Sequence, residues 1–139
     1  MPKVYVFDPG FIGFSRGWDP LRPDDYGLLW EHLVLEYLQA HVPEARIQYW
    51  RDAAGREVDF VISRNREEVD AMECKWDPGQ FDPAAMKLFR TYYPRGTNYV
   101  LSPLTVPGYA KKVSGLETYV CNPDGLQKHA EKKRPGSKT

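Results

Sequence analysis

Residues 57–76, EVDFVISRNREEVDAMECKW, hold two strand-like runs joined by a polar link, and the fold turns on how they pair. Side chains alternate between the faces of a strand. Glu57, Asp59 and Val61 therefore share one face of the first run, while Val58, Phe60 and Ile62 share the other, which reads as the core side. On the second run Val69, Ala71, Glu73 and Lys75 share a face, with Asp70, Met72, Cys74 and Trp76 on the reverse. The link RNREE suits a hairpin turn of about five residues. A hairpin symmetric about Arg66 sets Asp59 directly opposite Glu73, with Cβ atoms about 5 Å apart. Two carboxylates at that separation repel unless one is protonated or a cation neutralises them. Mg²⁺ suits such a pair, being a hard ion that takes one or two carboxylates and keeps several waters. Lys75, on the same face, can orient an attacking water or stabilise charge on a pentavalent phosphate, so the set suits phosphodiester hydrolysis. The same three residues also read as a solvated sheet face with a cross-strand ion pair, and spacing alone does not separate the two readings.

Upstream, Arg46 to Arg51 (RIQYWR) reads as a further strand, joined to Glu57 through DAAG, whose Gly55 suits a tight turn. A three-stranded antiparallel meander is expected. Before it, Tyr26 to about His41 reads as a helix, with Leu28, Leu35 and Leu38 at helical spacing, Leu29, Leu33 and Val34 beside them, and Pro43 closing the segment. Asp24 or Asp25 is placed to cap it. Glu31 falls in line with the apolar stripe, where an unpaired carboxylate would be costly and a metal or a lysine at the sheet would relieve that cost. Glu36, about 140° further round, reads as solvent-facing and stays open as the alternative partner. The opening KVYVFD reads as a short strand stopped by Pro9 and Gly10.

Downstream, DPGQFDP breaks the strand pattern and Pro83 to Tyr93 returns to helical spacing through Met86, Phe89 and Arg90. Asn98 to Ser102 (NYVLS) then reads as a strand that crosses over this helix to rejoin the sheet in parallel. The expected order is β, α, β, β, β, α, β. Beyond Pro107 the pattern weakens, with a last strand at Thr118 to Cys121. Residues 126–139 read as a basic, disordered tail, in preference to an ordered arm for nucleic acid, after a single domain over 1–125.

The 139 residues suit one domain, and 19 basic against 19 acidic residues give no global pull toward nucleic acid or membrane. Apolar stretches run to only a few residues and Met-Pro-Lys lacks a signal-peptide pattern, so a cytoplasmic chain with no membrane association is expected. Cys74 and Cys121 show no paired spacing and read as reduced strand or core residues. His32, His41 and His129 lack ligand spacing and read as surface or capping residues. Trp50 and Trp76 end strands and read as packing residues, although an aromatic beside Lys75 is within reach of substrate bases.

A helix glutamate followed by EVDF and then ECKW resembles the PD-(D/E)XK nuclease superfamily, whose αβββαβ core carries an Asp and a Glu-x-Lys on adjacent strands. More closely, KVYVFDPG, GLLWEHLVLEYL, YWRDAAGREVDFVI, AMECKW and YYPRGTNYVLS are similar to the nuclease-like domain of unknown function at the C-terminus of many prokaryotic AAA+ ATPases, over residues 3 to 102. The resemblance implies a restriction-endonuclease-like α/β fold, a mixed sheet flanked by helices. It implies Asp59, Glu73 and the main-chain carbonyl of Cys74 as ligands of Mg²⁺, or of Mn²⁺ in its place, with Lys75 and Glu31 completing the catalytic set. The implied activity is metal-dependent cleavage of DNA, by a homodimer where two strands are cut. The alternative is a catalytically inactive module that binds DNA or contacts a partner AAA+ ATPase. No GxxxxGK[ST] loop occurs in the sequence, which leaves open a stand-alone copy or a fragment of a longer ATPase.

Overall fold

The computed structural model describes residues 22–43 and 46–134. The strand expected at KVYVFD lies outside them. The first helix, α1, spans Pro23–His41. Proline at its first turn needs no hydrogen-bond partner; Arg22 is the N-cap residue, and Asp25, inside the first turn, accepts the Arg22 N–H at 2.8 Å. At the other end the Val42 N–H donates to the Leu38 carbonyl at 2.8 Å, and the His41 ring donates from Nδ1 to the Tyr37 carbonyl at 2.8 Å. The helix buries Trp30, Val34 and Leu38, one line at four-residue spacing, and leaves Leu28 and Leu35 half-buried and Leu33 exposed. Several leucines gave a broad expected stripe, and the bulky indole of Trp30 draws the buried line to its own side. His32 is a correction to the surface reading, because it is only 3 % exposed and its Nδ1 donates to the Leu28 carbonyl at 2.8 Å.

Three strands follow as the expected antiparallel meander: β1 (Ile47–Arg51), β2 (Glu57–Ser63) and β3 (Val69–Cys74). The β2–β3 register runs Ser63 with Val69, Ile62 with Asp70, Val61 with Ala71 and Phe60 with Met72, which is the register centred on Arg66. Asn65 fixes the turn, its side-chain oxygen accepting the N–H groups of Glu67 and Glu68 at 2.8 and 2.9 Å. Between β1 and β2 the register slips, Gln48 pairing with Val61 but Trp50 with Val58. Relative to β1, β2 thus carries one extra residue at Asp59–Phe60, a β-bulge. The bulge corrects the expected faces. Phe60 and Ile62 pack toward α1, whereas Val58 joins Val61 on the opposite face.

After β3 a single 3₁₀ turn (Pro78–Gln80) leads to α2 (Ala84–Tyr92), and the chain crosses over to β4 (Asn98–Leu101), parallel to β3 as expected. Arg90 fastens this crossover. Its guanidinium donates to the carbonyls of Val69 (2.8 Å), Tyr93, Arg95 and Thr97 (each 3.1 Å) and to Asn98 Oδ1 (2.7 Å). Gly96 sits against β3 with φ +137°, and a Cβ there would lie 1.9 Å from the Val69 carbonyl oxygen.

Beyond β4 the chain adds β5 (Tyr109–Val113), β6 (Leu116–Cys121) and α3 (Pro123–Lys132). The strand expected at Thr118 to Cys121 falls within β6. The helix is a correction, since much of the segment read as a disordered tail is ordered. Asn122 caps it by accepting the Gly125 N–H at 2.8 Å, and Leu126 is buried. His129, expected at the surface, stacks on Tyr119 with ring centroids 3.9 Å apart and shares a 3.0 Å hydrogen bond with the Tyr99 hydroxyl.

The fold is α/β: among the described residues a mixed six-stranded sheet runs in the order β1-β2-β3-β4-β6-β5, with β3, β4 and β6 parallel and the flanking pairs antiparallel. Helices α1 and α3 cover one face through Trp30, Val34, Leu38 and Leu126, and α2 covers the other through Met86 and Phe89. Both faces are therefore apolar. Among the described residues no helix is long and apolar enough to cross a membrane.

Candidate metal centre

The β2–β3 ladder is paired as far as Phe60 and Met72, and Asp59 and Glu73 are the next residues along the two strands. The ladder opens there. At that step the Cys74 N–H donates to Asp59 Oδ2 at 2.8 Å. Glu73 pairs with Val100 in the parallel β3–β4 ladder and alternates with Met72 and Cys74, so it lies on the side of Ala71 and Val100, the side that α2 covers, while Asp59 sits in the bulge of β2. Glu73 is buried and Asp59 half-buried. β3 ends at Cys74, and Lys75 follows with its N–H donating to the Leu101 carbonyl at 2.9 Å and its side chain half-buried.

The C-terminal ends of β3 and β4 also meet α1. The Trp30 indole N–H donates to the Leu101 carbonyl at 2.8 Å, which places the first half of α1 over this end of the sheet. Glu31 follows Trp30 and is half-buried. Because α1 packs on the face away from Glu73, a contribution from Glu31 has to come round the end of the strands. Asp59 is thus tied to the end of β3 by the Cys74 N–H, Glu73 faces α2 with Lys75 two residues on, and Glu31 belongs to the other layer.

Among the described residues no group of three His, Cys, Asp or Glu side chains gathers around one point. An ion at Asp59 and Glu73 would accordingly need main-chain oxygen and water to fill its shell. That donor set fits Mg²⁺, which binds through one or two carboxylates and keeps its waters, and it does not fit a zinc site.

Two features at this end escape a strand-by-strand reading. Tyr26, in the first turns of α1, packs on Trp76 with ring centroids 5.0 Å apart. Ser102, just past β4, donates from Oγ to the Trp76 carbonyl at 3.0 Å. Both contacts join segments far apart in the chain, and no local spacing announces them. A cavity of about 980 Å³ lies at the opposite end of the sheet between α1, α3 and the β2–β3 turn. Its buried acid, Asp70, is 1 % exposed and is held by the Arg64 guanidinium and by the Thr97 N–H at 2.9 Å. Both partners are fixed parts of the fold, which gives Asp70 a structural role.

No curated protein matches the chain. A family model does, across residues 26–107, more than half of the length and every element from α1 through β4, with Glu31, Asp59, Glu73, Cys74 and Lys75 inside the match. The chain belongs to the family described as Domain of unknown function (DUF4143).

Proposed function

We propose that the protein is a Mg²⁺-dependent phosphodiesterase acting on DNA, a nuclease of the PD-(D/E)XK type, with Mn²⁺ able to replace Mg²⁺. The observation that supports this reading is the 2.8 Å hydrogen bond from the Cys74 N–H to Asp59 Oδ2, which ties Asp59 to the segment of β3 that carries Glu73 and leads into Lys75. Asp59, Glu73 and the Cys74 carbonyl would hold the ion. When bound, it supplies Lewis-acid polarisation of a phosphoryl oxygen and offsets the charge that develops there. The residues of the chain do the rest. The Cys74 N–H fixes the rotamer of Asp59, β4 fixes Glu73 through its pairing with Val100, and the Lys75 ammonium orients the attacking water or donates to a phosphoryl oxygen. Glu31, reaching round the strand ends, would orient water from the α1 side.

The test is cleavage of labelled single-stranded, duplex and branched DNA by purified protein with Mg²⁺ or Mn²⁺, beside Asp59→Ala and Glu73→Gln purified identically. Cleavage that falls by roughly 100-fold or more in both variants is expected, the loss typical of removing one charge-stabilising group from such a site. Equal cleavage by all three proteins, or none by any, refutes the reading. DNA binding without cleavage and without metal would assign the chain to the inactive module instead, and capture of a AAA+ ATPase would name its partner.

A further inference from the structure

The cavity at the far end of the sheet from Asp59 has no part in the metal centre, yet it has the make-up of a ligand site. Its volume, about 980 Å³, is at the upper end of the range of small-molecule pockets, roughly 300–1,000 Å³. Leu38, Ile62, Met72 and Leu126 give it apolar walls from α1, the sheet and α3. Arg64, the residue just past β2, also lines it. Its hydrogen bond to Asp70 is made by Nε, and among the described residues Nη1 and Nη2 donate to no protein group. Because Asp70 is itself held by the Thr97 N–H, it fixes the guanidinium plane and leaves both terminal nitrogens unspent.

The charge around the cavity is lopsided. Arg46, Lys133 and Arg134 line it as well, and among the described residues none of them has an acid partner; Lys133 donates instead to Thr97 Oγ1 at 3.0 Å. Of the three acids in the lining, Asp70 is matched by Arg64 and Glu68 by Arg95, which leaves Glu131 to face three cations. We propose that this cavity binds a small-molecule phosphate monoester, its phosphoryl oxygens on the Arg64 fork and its body against the apolar walls. A guanidinium fork takes a carboxylate or a phosphate alike. The surplus of cations selects the phosphate, which carries nearly two negative charges at neutral pH and offers three acceptor oxygens.

The cavity and the metal centre lie at opposite ends of the sheet, so this binding stands or falls independently of the nuclease reading. Isothermal titration calorimetry in EDTA, which keeps divalent ions out, compares AMP with adenosine and glycerol phosphate with glycerol. At least one phosphate monoester binds, and its unphosphorylated twin does not. Arg64→Lys, which keeps a cation beside Asp70 and loses the fork, weakens that binding roughly 10- to 100-fold. If that variant fails to fold, Arg46→Glu combined with Arg134→Glu serves the same purpose, since both side chains are exposed and neither has a partner in the described fold. Asp59→Ala binds as wild type does. No binding of either monoester at millimolar concentration, equal binding of the unphosphorylated twin, or binding unchanged in both Arg64→Lys and the double glutamate variant overturns the proposal. Loss of binding in Asp59→Ala also overturns it, by moving the phosphate to the other end of the sheet.

Discussion

Arg90→Met should cost about 3 kcal/mol of folding stability, a figure that follows from where its hydrogen bonds end. Methionine keeps the apolar stem and removes a guanidinium whose Nε, Nη1 and Nη2 together make five contacts. Three of the acceptors, Val69 O, Thr97 O and Asn98 Oδ1, form half-sheltered bonds, and two, Tyr93 O and Arg95 O, form exposed ones. Exposed carbonyls rehydrate and contribute little, while each sheltered bond contributes about 1 kcal/mol net. Burial also depresses the Arg90 pKa, with Asp70 acting in the opposite sense, but an arginine remains charged throughout the accessible pH range. Lysine is a poor substitute, because a point charge on a flexible stem cannot span acceptors that a planar fork reaches together. Arg90→Lys should therefore recover about 1 kcal/mol of the loss. Urea unfolding followed by far-UV circular dichroism provides the measurement. With a slope of about 1.5–2 kcal/mol/M, the Met variant should unfold roughly 1.5–2 M earlier than wild type. A loss below about 1 kcal/mol in Arg90→Met, or an Arg90→Lys midpoint equal to wild type, would refute the claim that this guanidinium fastens the crossover.

Two further outcomes follow from the same structure. Gly96→Ala places a Cβ against the Val69 carbonyl at φ +137° and should cost about 3 kcal/mol or more, whereas Gly55→Ala, at φ +85° with open space around it, should cost only about 1 kcal/mol; equal losses in urea unfolding would show that the contact is relieved cheaply. Burial, and after it Lys133, hold the His129 pKa below the ordinary histidine value, Asp70 acting against them and Lys132 and Arg64 with them. A depressed folded-state pKa means that the unfolded chain takes up the proton first, so this contribution is fully present above about pH 6.5 and is lost as pH falls below it. The urea midpoint should drop between pH 7.5 and 5.5 more in wild type than in His129→Gln, and parallel pH profiles would remove His129 as the cause.

The hairpin was legible because its turn is local: a polar link with Asn65 two residues past β2 sets the register of β2 against β3 as far as Phe60 and Met72. The crossover to β4 was legible for a similar reason, since a helix between two strands constrains them to run parallel. The faces of β2 were not. A bulge depends on the neighbouring strand, and nothing within EVDFVIS marks Asp59–Phe60 as the place where β1 slips. The C-terminal third escaped reading because its burial is thin: α3 sinks one leucine, Leu126, and YAKKV presents mostly exposed side chains at a sheet edge. Asn122-Pro123 was in fact a helix-start signal, and the Gly125 that followed made it resemble a turn. The layer that carries Glu31 was equally hidden, because a helix stripe shows what a residue lines up with and not which face of a sheet its helix covers.

Among the described residues β5 forms one border of the sheet, and such a border is a row of unpaired peptide groups open to any extended chain. Lys111 and Lys112 are adjacent on that strand, so their side chains leave from opposite faces, and both are exposed. A strand approaching in line, from above or from below the sheet plane, meets an ammonium in each case. Two neighbouring lysines thereby guard both sides of the border against self-association, a solubility device that the zero net charge of the chain does not otherwise supply.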